Sequence, residues 1–276
     1  MNNSIVLNVE HLHIRVSTPQ GMKKIVNDVS FQLKKGEVLG LVGASGSGKT
    51  MTCLAIMGLL QESAIIEQGS IHLGSRNLLQ LNANQMRSMR GKELAVIMQN
   101  PMSAFNPTIT IGNHFIETLR AHGSFSRVEA HEMAVTYLAK TGLPHPAKIM
   151  DQYPFQLSGG MLQRVMIAIA MSLQPAVLIA DEPTTALDSV HQVKLLEQMY
   201  LLCQEQNTAM LLVSHDLGVI AYMADEVMVM NNGRVVEKAP VAKLFDQPEH
   251  PYTRMLLEAR PGMGTAIPEY EQPEVR

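Results

Sequence analysis

Apolar positions along the chain change period several times, and each change marks an element. In the first forty residues, IVLNVEHLHI and VSFQL alternate apolar and polar positions, the period of half-buried strands. The stretches STPQG and KKGE supply turns beside them. VLGLVG is then a continuous apolar run, suited to a parallel strand buried on both faces. ASGSGK follows, and from Thr50 the run MTCLAIMGLL reads as a helix. The segment is strand, glycine-rich loop, helix.

Between Pro101 and Gln163 the buried-strand runs stop. IGNHFIETLRAHG and SRVEAHEMAVTYLAKTG carry helical spacing and are separated by Pro and Gly, which predicts a mostly helical insertion. Downstream, MLQRVMIAIAMSL (helix), VLIADE (strand), VHQVKLLEQMYLLCQEQ (helix), AMLLVSH (strand), LGVIAYMADE (helix) and VMVM (strand) alternate, and after the turn NNGR comes the strand VVEKA. Such alternation predicts an α/β fold with a mainly parallel sheet and helical covers. PGMGTAIPEYEQPEVR has no apolar periodicity and is expected to be a disordered tail.

Composition narrows the function classes. With 276 residues, 46% apolar and 17% charged, the chain is long and apolar enough for a sizeable core. A net charge of −3 gives no electrostatic footprint for nucleic acid. Two cysteines, Cys53 and Cys203, make no secreted-type scaffold and fit small core residues in a reducing compartment. The start MNNSIVLNVE lacks the basic opening and apolar run of a signal peptide. The longest charge-free apolar stretch, Val165 to Ala180, contains Pro175 and falls short of the ~20 residues of a spanning helix. No membrane crossing by this chain is expected.

The chemistry concentrates in a few short motifs. Gly43-Ala44-Ser45-Gly46-Ser47-Gly48-Lys49-Thr50 fits G-x-x-x-x-G-K-[ST] and sits between a strand and a helix, as that motif requires. Its glycines let backbone N–H groups turn toward phosphate oxygens, and the helix N-terminus adds partial positive charge. Lys49 is placed for the outer phosphates and Thr50 for Mg²⁺. Four apolar residues deliver Asp181 and Glu182 to a strand end, where α/β ligands bind. Asp181 there suits Mg²⁺, and Glu182 suits polarising a water against the γ-phosphate. Leu157-Ser158-Gly159-Gly160-Met161 opens a long apolar helix. Alone it reads as a plain N-cap; lying between the phosphate loop and the acidic strand, it reads as a second anion-binding helix end.

In this order the motifs resemble the ATP-binding subunit of ABC transporters, whose signature is LSGGQ; Met161 stands where that family commonly has Gln. The resemblance runs over roughly residues 5 to 260. It implies a P-loop NTPase core at about 1–100 and 165–245, N-terminal antiparallel strands, and a helical subdomain inserted at about 101–164, in one cassette of 1–260 followed by a tail at 261–276. It also implies that Gln99 coordinates Mg²⁺ and links the insertion to the site. Ala186-Leu187-Asp188 then resembles the D-loop, and His215 the switch histidine on the γ-phosphate. The nucleotide would lie on residues 43–50 with Gln99, while Ser158, Gly159, Gly160 and Asp188 complete a site across a dimer. One family feature is missing: the stretch HLHIRVSTPQ, around Val16, offers no aromatic to stack on adenine.

The same resemblance implies partners. These are a second ATP-binding subunit (a different chain or a copy of this one), two membrane permease subunits and an extracytoplasmic substrate-binding protein, with this chain peripheral on the cytoplasmic face of the inner membrane. Ile97-Met98-Gln99-Asn100-Pro101, Ser103-Ala104-Phe105-Asn106-Pro107, Tyr153-Pro154-Phe155 and His250-Pro251-Tyr252-Thr253-Arg254 are similar to the peptide and nickel importers. The Gln-Asn-Pro, Ser-Ala-Phe-Asn-Pro and Ser-Gly-Gly-Met combination, with no cysteine after Cys203, most resembles the first ATPase subunit of nickel importers. The expected function is ATP hydrolysis, with Mg²⁺, powering nickel import; the alternative is a di- or oligopeptide or metal-chelate importer. A soluble cassette acting on ribosomes or DNA would tend to be basic or carry two cassettes. A P-loop kinase or GTPase would leave Ser158-Gly159-Gly160 and His215 without a role.

Overall fold

The computed structural model describes residues 4–184 and 189–259. Asp188, with Ala186 and Leu187, and the expected tail at 261–276 lie outside the described residues. The chain opens with β1 (Ile5–Thr18), β2 (Gly21–Lys34), β3 (Val38–Val42), α1 (Lys49–Ile56), β4 (Ala64–Leu73), β5 (Arg76–Asn77) and α2 (Ala83–Met89). Then come β6 (Leu94–Ile97), α3 (Ile111–His122), α4 (Arg127–Lys140), α5 (Pro146–Met150), α6 (Gly159–Ser172), β7 (Val177–Asp181) and α7 (Ser189–Gln206). The last elements are β8 (Ala209–Val213), α8 (Leu217–Met223), β9 (Glu226–Asn231), β10 (Arg234–Pro240), α9 (Val241–Asp246) and α10 (Pro251–Glu258). Among the described residues no helix is long and apolar enough to cross a membrane.

Two compact units are present, one built from residues 1–87 with 209 onward, the other from 88–208. In the first, an antiparallel sheet has the order β2-β1-β4-β5, and β3 lies between β8 and β9, parallel to both, with β10 antiparallel to β9. The unbroken apolar runs of β3 and β8 explain their place: every residue of both is buried. In β1 the buried positions Val9 and Leu12 are three apart, which strict alternation forbids. A bulge with His11 at φ 46 restores the inward face. Gly69 of β4 passes this bulge so closely that a Cβ there would stand 2.7 Å from the carbonyls of Glu10 and His11. Strand β4 has no counterpart among the predicted strands, because of its residues only Ile71 and Leu73 are buried and Gly69 interrupts the alternation.

The second unit holds the helical stretches predicted at 101–164 and also β6, β7 and α7. Strands β6 and β7 run parallel, in a register that sets Leu94 beside Val177 and Ile97 beside Ala180. Helix α4 starts with a capping box, in which Ser126 Oγ accepts from the N–H of Glu129 and the Glu129 carboxylate accepts from the N–H of Ser126. Helix α6 buries Leu162, Val165, Met166, Ile167 and Ala168. Arg164 ties it to the end of α4 by donating to the carbonyl of Thr141 at 2.7 Å, and it also donates to Gln198 on α7. Burial pulls this guanidinium below its ordinary pKa, and the two acceptors are what make its burial tolerable. Cys203, fully buried, has its thiol pushed up to about 12 and is inert at neutral pH.

Candidate functional site

In the first unit the phosphate loop leaves β3 at Gly43 and enters α1 at Lys49. Only glycine fits at 43: at φ +152 a Cβ would stand 2.2 Å from the Met230 carbonyl and 2.8 Å from Ser47 Oγ. Strand β9, parallel to β3, thus presses its backbone against the loop's root. Ala44, Ser45 and Gly46 are exposed, whereas Ser47, Gly48 and Lys49 are buried. Ser47 is locked from both sides, its N–H donating to the Ala44 carbonyl at 3.2 Å and its carbonyl accepting from Gly233 N–H at 3.0 Å.

Lys49 is the decisive group here. Its ammonium donates to the carbonyls of Gly43 at 2.7 Å and Ala44 at 3.0 Å, and to Ser47 Oγ at 3.4 Å. Burial of a charge at 8% exposure is tolerated only with such acceptors. Thr50, exposed on the first turn of α1, presents a hydroxyl at the same helix end. His215 is exposed just beyond β8, and Asp216 after it caps α8 by accepting from Gly218 N–H at 2.7 Å. Val16, at the expected adenine position, pairs with Lys23 on β2 and Ala64 on β4; neither is aromatic.

The second unit brings Gln99, Asp181 and Glu182 together. Parallel register accounts for it: Ile97 and Ala180 are partners, so two residues further on each strand exits with Gln99 beside Glu182. The Gln99 amide nitrogen donates to the Glu182 carboxylate at 2.6 Å. Glu182 has φ 49, so the chain turns sharply there and aims the two neighbouring carboxylates differently. All three residues are named in the sequence expectation; the Gln99–Glu182 bond is not, and it follows from the register of β6 with β7.

Ser158, Gly159 and Gly160 open α6, and Ser158 Oγ accepts from Met161 N–H at 3.3 Å. Ser158 and Gly159 are exposed, so the helix end faces outward with N–H groups that have no intrahelical partner. Gln163 is different: it is 1% exposed, and among the described residues neither atom of its amide has a hydrogen-bond partner.

Comparison with known proteins places this arrangement. The profile described as "ABC transporter" matches residues 26–185, and that described as "Oligopeptide/dipeptide transporter, C-terminal region" matches residues 236–274. The oligopeptide transport ATP-binding protein AppD of Bacillus subtilis is 49% identical over 237 residues, 86% of this chain and 72% of that protein. The chain belongs to the ABC transporter family. The glutathione import ATP-binding protein GsiA of Escherichia coli is 44% identical over 265 residues, 94% of this chain but 42% of its own length. The ABC chain therefore spans less than half of that relative. Its α/β fold, with parallel strands and an N-terminal antiparallel sheet, is that of solved ATP-binding cassettes. A dimeric post-hydrolysis state of the cassette MJ0796 with ADP and Pi superposes with TM-score 0.76 at 23% identity, covering 85% of this chain and 98% of that one. An ATP-binding subunit of an ABC transporter superposes with TM-score 0.70 at 27% identity, covering 88% and 92%. The nickel cargo expected from sequence finds no support in these relatives, which are named for peptide and glutathione import.

Proposed function

We propose that this chain is the ATP-hydrolysing subunit of an ABC importer whose cargo is a di- or oligopeptide or a small peptide such as glutathione. The observation that carries the reading is the oligopeptide/dipeptide C-terminal match at 236–274, following the ABC transporter match at 26–185. Relatives named for oligopeptide and glutathione import support it.

The phosphate loop, residues 43–50, takes the ATP phosphates. Lys49, now bonded to Gly43, Ala44 and Ser47, exchanges those acceptors for phosphate oxygens, so little desolvation remains to be met on binding. Oxygen donors of the kind Mg²⁺ takes are at hand: Thr50 offers an exposed hydroxyl, Asp181 a strand-end carboxylate, and Gln99 an amide oxygen whose nitrogen is already directed to Glu182. When bound, Mg²⁺ neutralises charge on the phosphate oxygens. Glu182, oriented by Gln99, accepts the proton of the attacking water, and His215 is assigned to the γ-phosphate. Ser158, Gly159 and Gly160 serve the nucleotide held by a second ATP-binding subunit, and Asp188 belongs to the same dimer contact. The MJ0796 cassette in its ADP and Pi form is a dimer. Two membrane permease subunits and an extracytoplasmic binding protein complete the importer, with this chain on the cytoplasmic face of the inner membrane.

Uptake of labelled dipeptide, glutathione and nickel, measured side by side in a strain lacking this chain, tests the assignment. Peptide or glutathione uptake should be lost while nickel uptake stays normal. The reverse pattern would refute the peptide reading.

A further inference from the structure

The segment His250-Pro251-Tyr252-Thr253-Arg254 lies within the 236–274 match but has no part in the nucleotide chemistry above, yet the fold brings it to the phosphate loop. Within the first unit, the Tyr252 hydroxyl accepts a hydrogen bond from the N–H of Ala44 at 3.0 Å, across 208 positions of sequence. Tyr252 is held in place for this contact. Glu237 on β10 accepts from the N–H of Glu249 at 2.8 Å and from that of His250 at 3.0 Å, one with each carboxylate oxygen. His250 then caps α10, its Nδ1 accepting from Tyr252 N–H at 3.1 Å. Arg254 closes the segment on itself by donating to the carbonyl of Pro248 at 2.9 Å.

We propose that Tyr252 is a positioning residue for nucleotide binding: its hydroxyl holds the Ala44 peptide so that the phosphate loop keeps its binding shape when Lys49 leaves. The inference rests on the reading of residues 43–50 as the ATP site. The Ala44 carbonyl is the acceptor that Lys49 gives up on binding, at 3.0 Å, while its N–H stays tethered to Tyr252. Ala44 to Gly46 are exposed, and a Cβ at Gly46 would meet nothing within 4 Å. If the tether is lost, part of the population leaves the competent shape, and apparent affinity falls by the fraction that remains. One neutral hydrogen bond corresponds to roughly a two- to tenfold shift in such an equilibrium. Glu237 acts one step further out, through the placement of Tyr252.

The full chain is titrated with ATP and magnesium, as wild type, Tyr252→Phe, Glu237→Gln and the double variant. Tyr252→Phe keeps the ring and removes only the hydroxyl. It should weaken ATP and ADP binding by about two- to tenfold, lower the nucleotide-free melting temperature by no more than about 2–4 °C, and in the assembled complex raise KM for ATP without lowering kcat. Glu237→Gln should weaken binding in the wild-type background and add nothing to Tyr252→Phe, because both act on one contact. Affinity unchanged in Tyr252→Phe would overturn the proposal. So would tighter binding, since the hydroxyl would then compete with phosphate, and so would additive losses in the double variant. If wild type itself bound no ATP, the nucleotide reading beneath it would fall as well.

Discussion

Glu182→Gln exchanges one carboxylate oxygen for an amide nitrogen and leaves the shape of the side chain nearly unchanged. The backbone at this residue, with φ 49, already carries the cost of a left-handed turn. That cost is common to both side chains, so folding should be untouched. The bond from Gln99 is 2.6 Å long and needs only an acceptor, which the new amide oxygen supplies. Lys49 keeps its three loop acceptors, and nothing at residues 43–50 changes. What disappears is the proton acceptor that the proposed mechanism assigns to Glu182. A positioned general base contributes about 10²- to 10⁴-fold, equivalent to ~2.7–5.5 kcal/mol of barrier at 1.36 kcal/mol per decade. Single-turnover hydrolysis of labelled ATP in the assembled complex, beside ATP affinity by titration, measures the two effects separately. Affinity should stay within about twofold while the hydrolysis rate falls at least ~10²-fold. Hydrolysis at more than a tenth of the wild-type rate would refute the role given to Glu182.

Gly43→Ala should destabilise the chain by more than ~3 kcal/mol, because its Cβ would meet the Met230 carbonyl at 2.2 Å; an unchanged urea midpoint would contradict this. Gln163→Met should raise stability by about 1–3 kcal/mol by removing a buried amide with no partner, and a lower melting temperature would show that the amide is needed. Burial alone would raise the carboxyl of Glu237, but hydrogen bonds from the Glu249 and His250 amides hold it below its ordinary value. A depressed carboxyl contributes fully above its unfolded pKa and loses that contribution as pH falls through the folded one, here on the acid side of the ordinary glutamate value. Exchange of the Glu249 and His250 amides should therefore quicken in acid beyond its intrinsic trend, and Glu237→Gln should remove that step.

The strand–loop–helix placement of residues 43–50 was legible because its signal is local: eight consecutive residues between an apolar run and a helical one. The fully buried strands β3 and β8 were legible for a similar reason, since burial on both faces leaves an unbroken apolar run. Strand β4 was not, because only Ile71 and Leu73 of it are buried and Gly69, facing the bulge of β1, interrupts the alternation. Long-range partnerships escaped for a different reason. Gln99 and Glu182 stand 83 positions apart and meet through the register of β6 with β7. Tyr252 and Ala44 stand 208 apart. Nor does any pattern reveal that Gln163 is buried without a partner. Cargo is a further step removed, since the phosphate chemistry of an ATPase does not encode what is carried. Motif resemblance favoured nickel; comparison over most of the chain gave peptide and glutathione relatives.

The central claim is that ATP hydrolysis on residues 43–50 drives uptake. Co-reconstitution in proteoliposomes with the permease pair, the second ATPase and the binding protein tests it most directly, following ATP consumption and labelled-peptide accumulation in the same sample. Wild type should couple the two, and Lys49→Ala should lose ATP binding at this chain and with it peptide accumulation. Peptide accumulation that continues undiminished with Lys49→Ala would contradict the account.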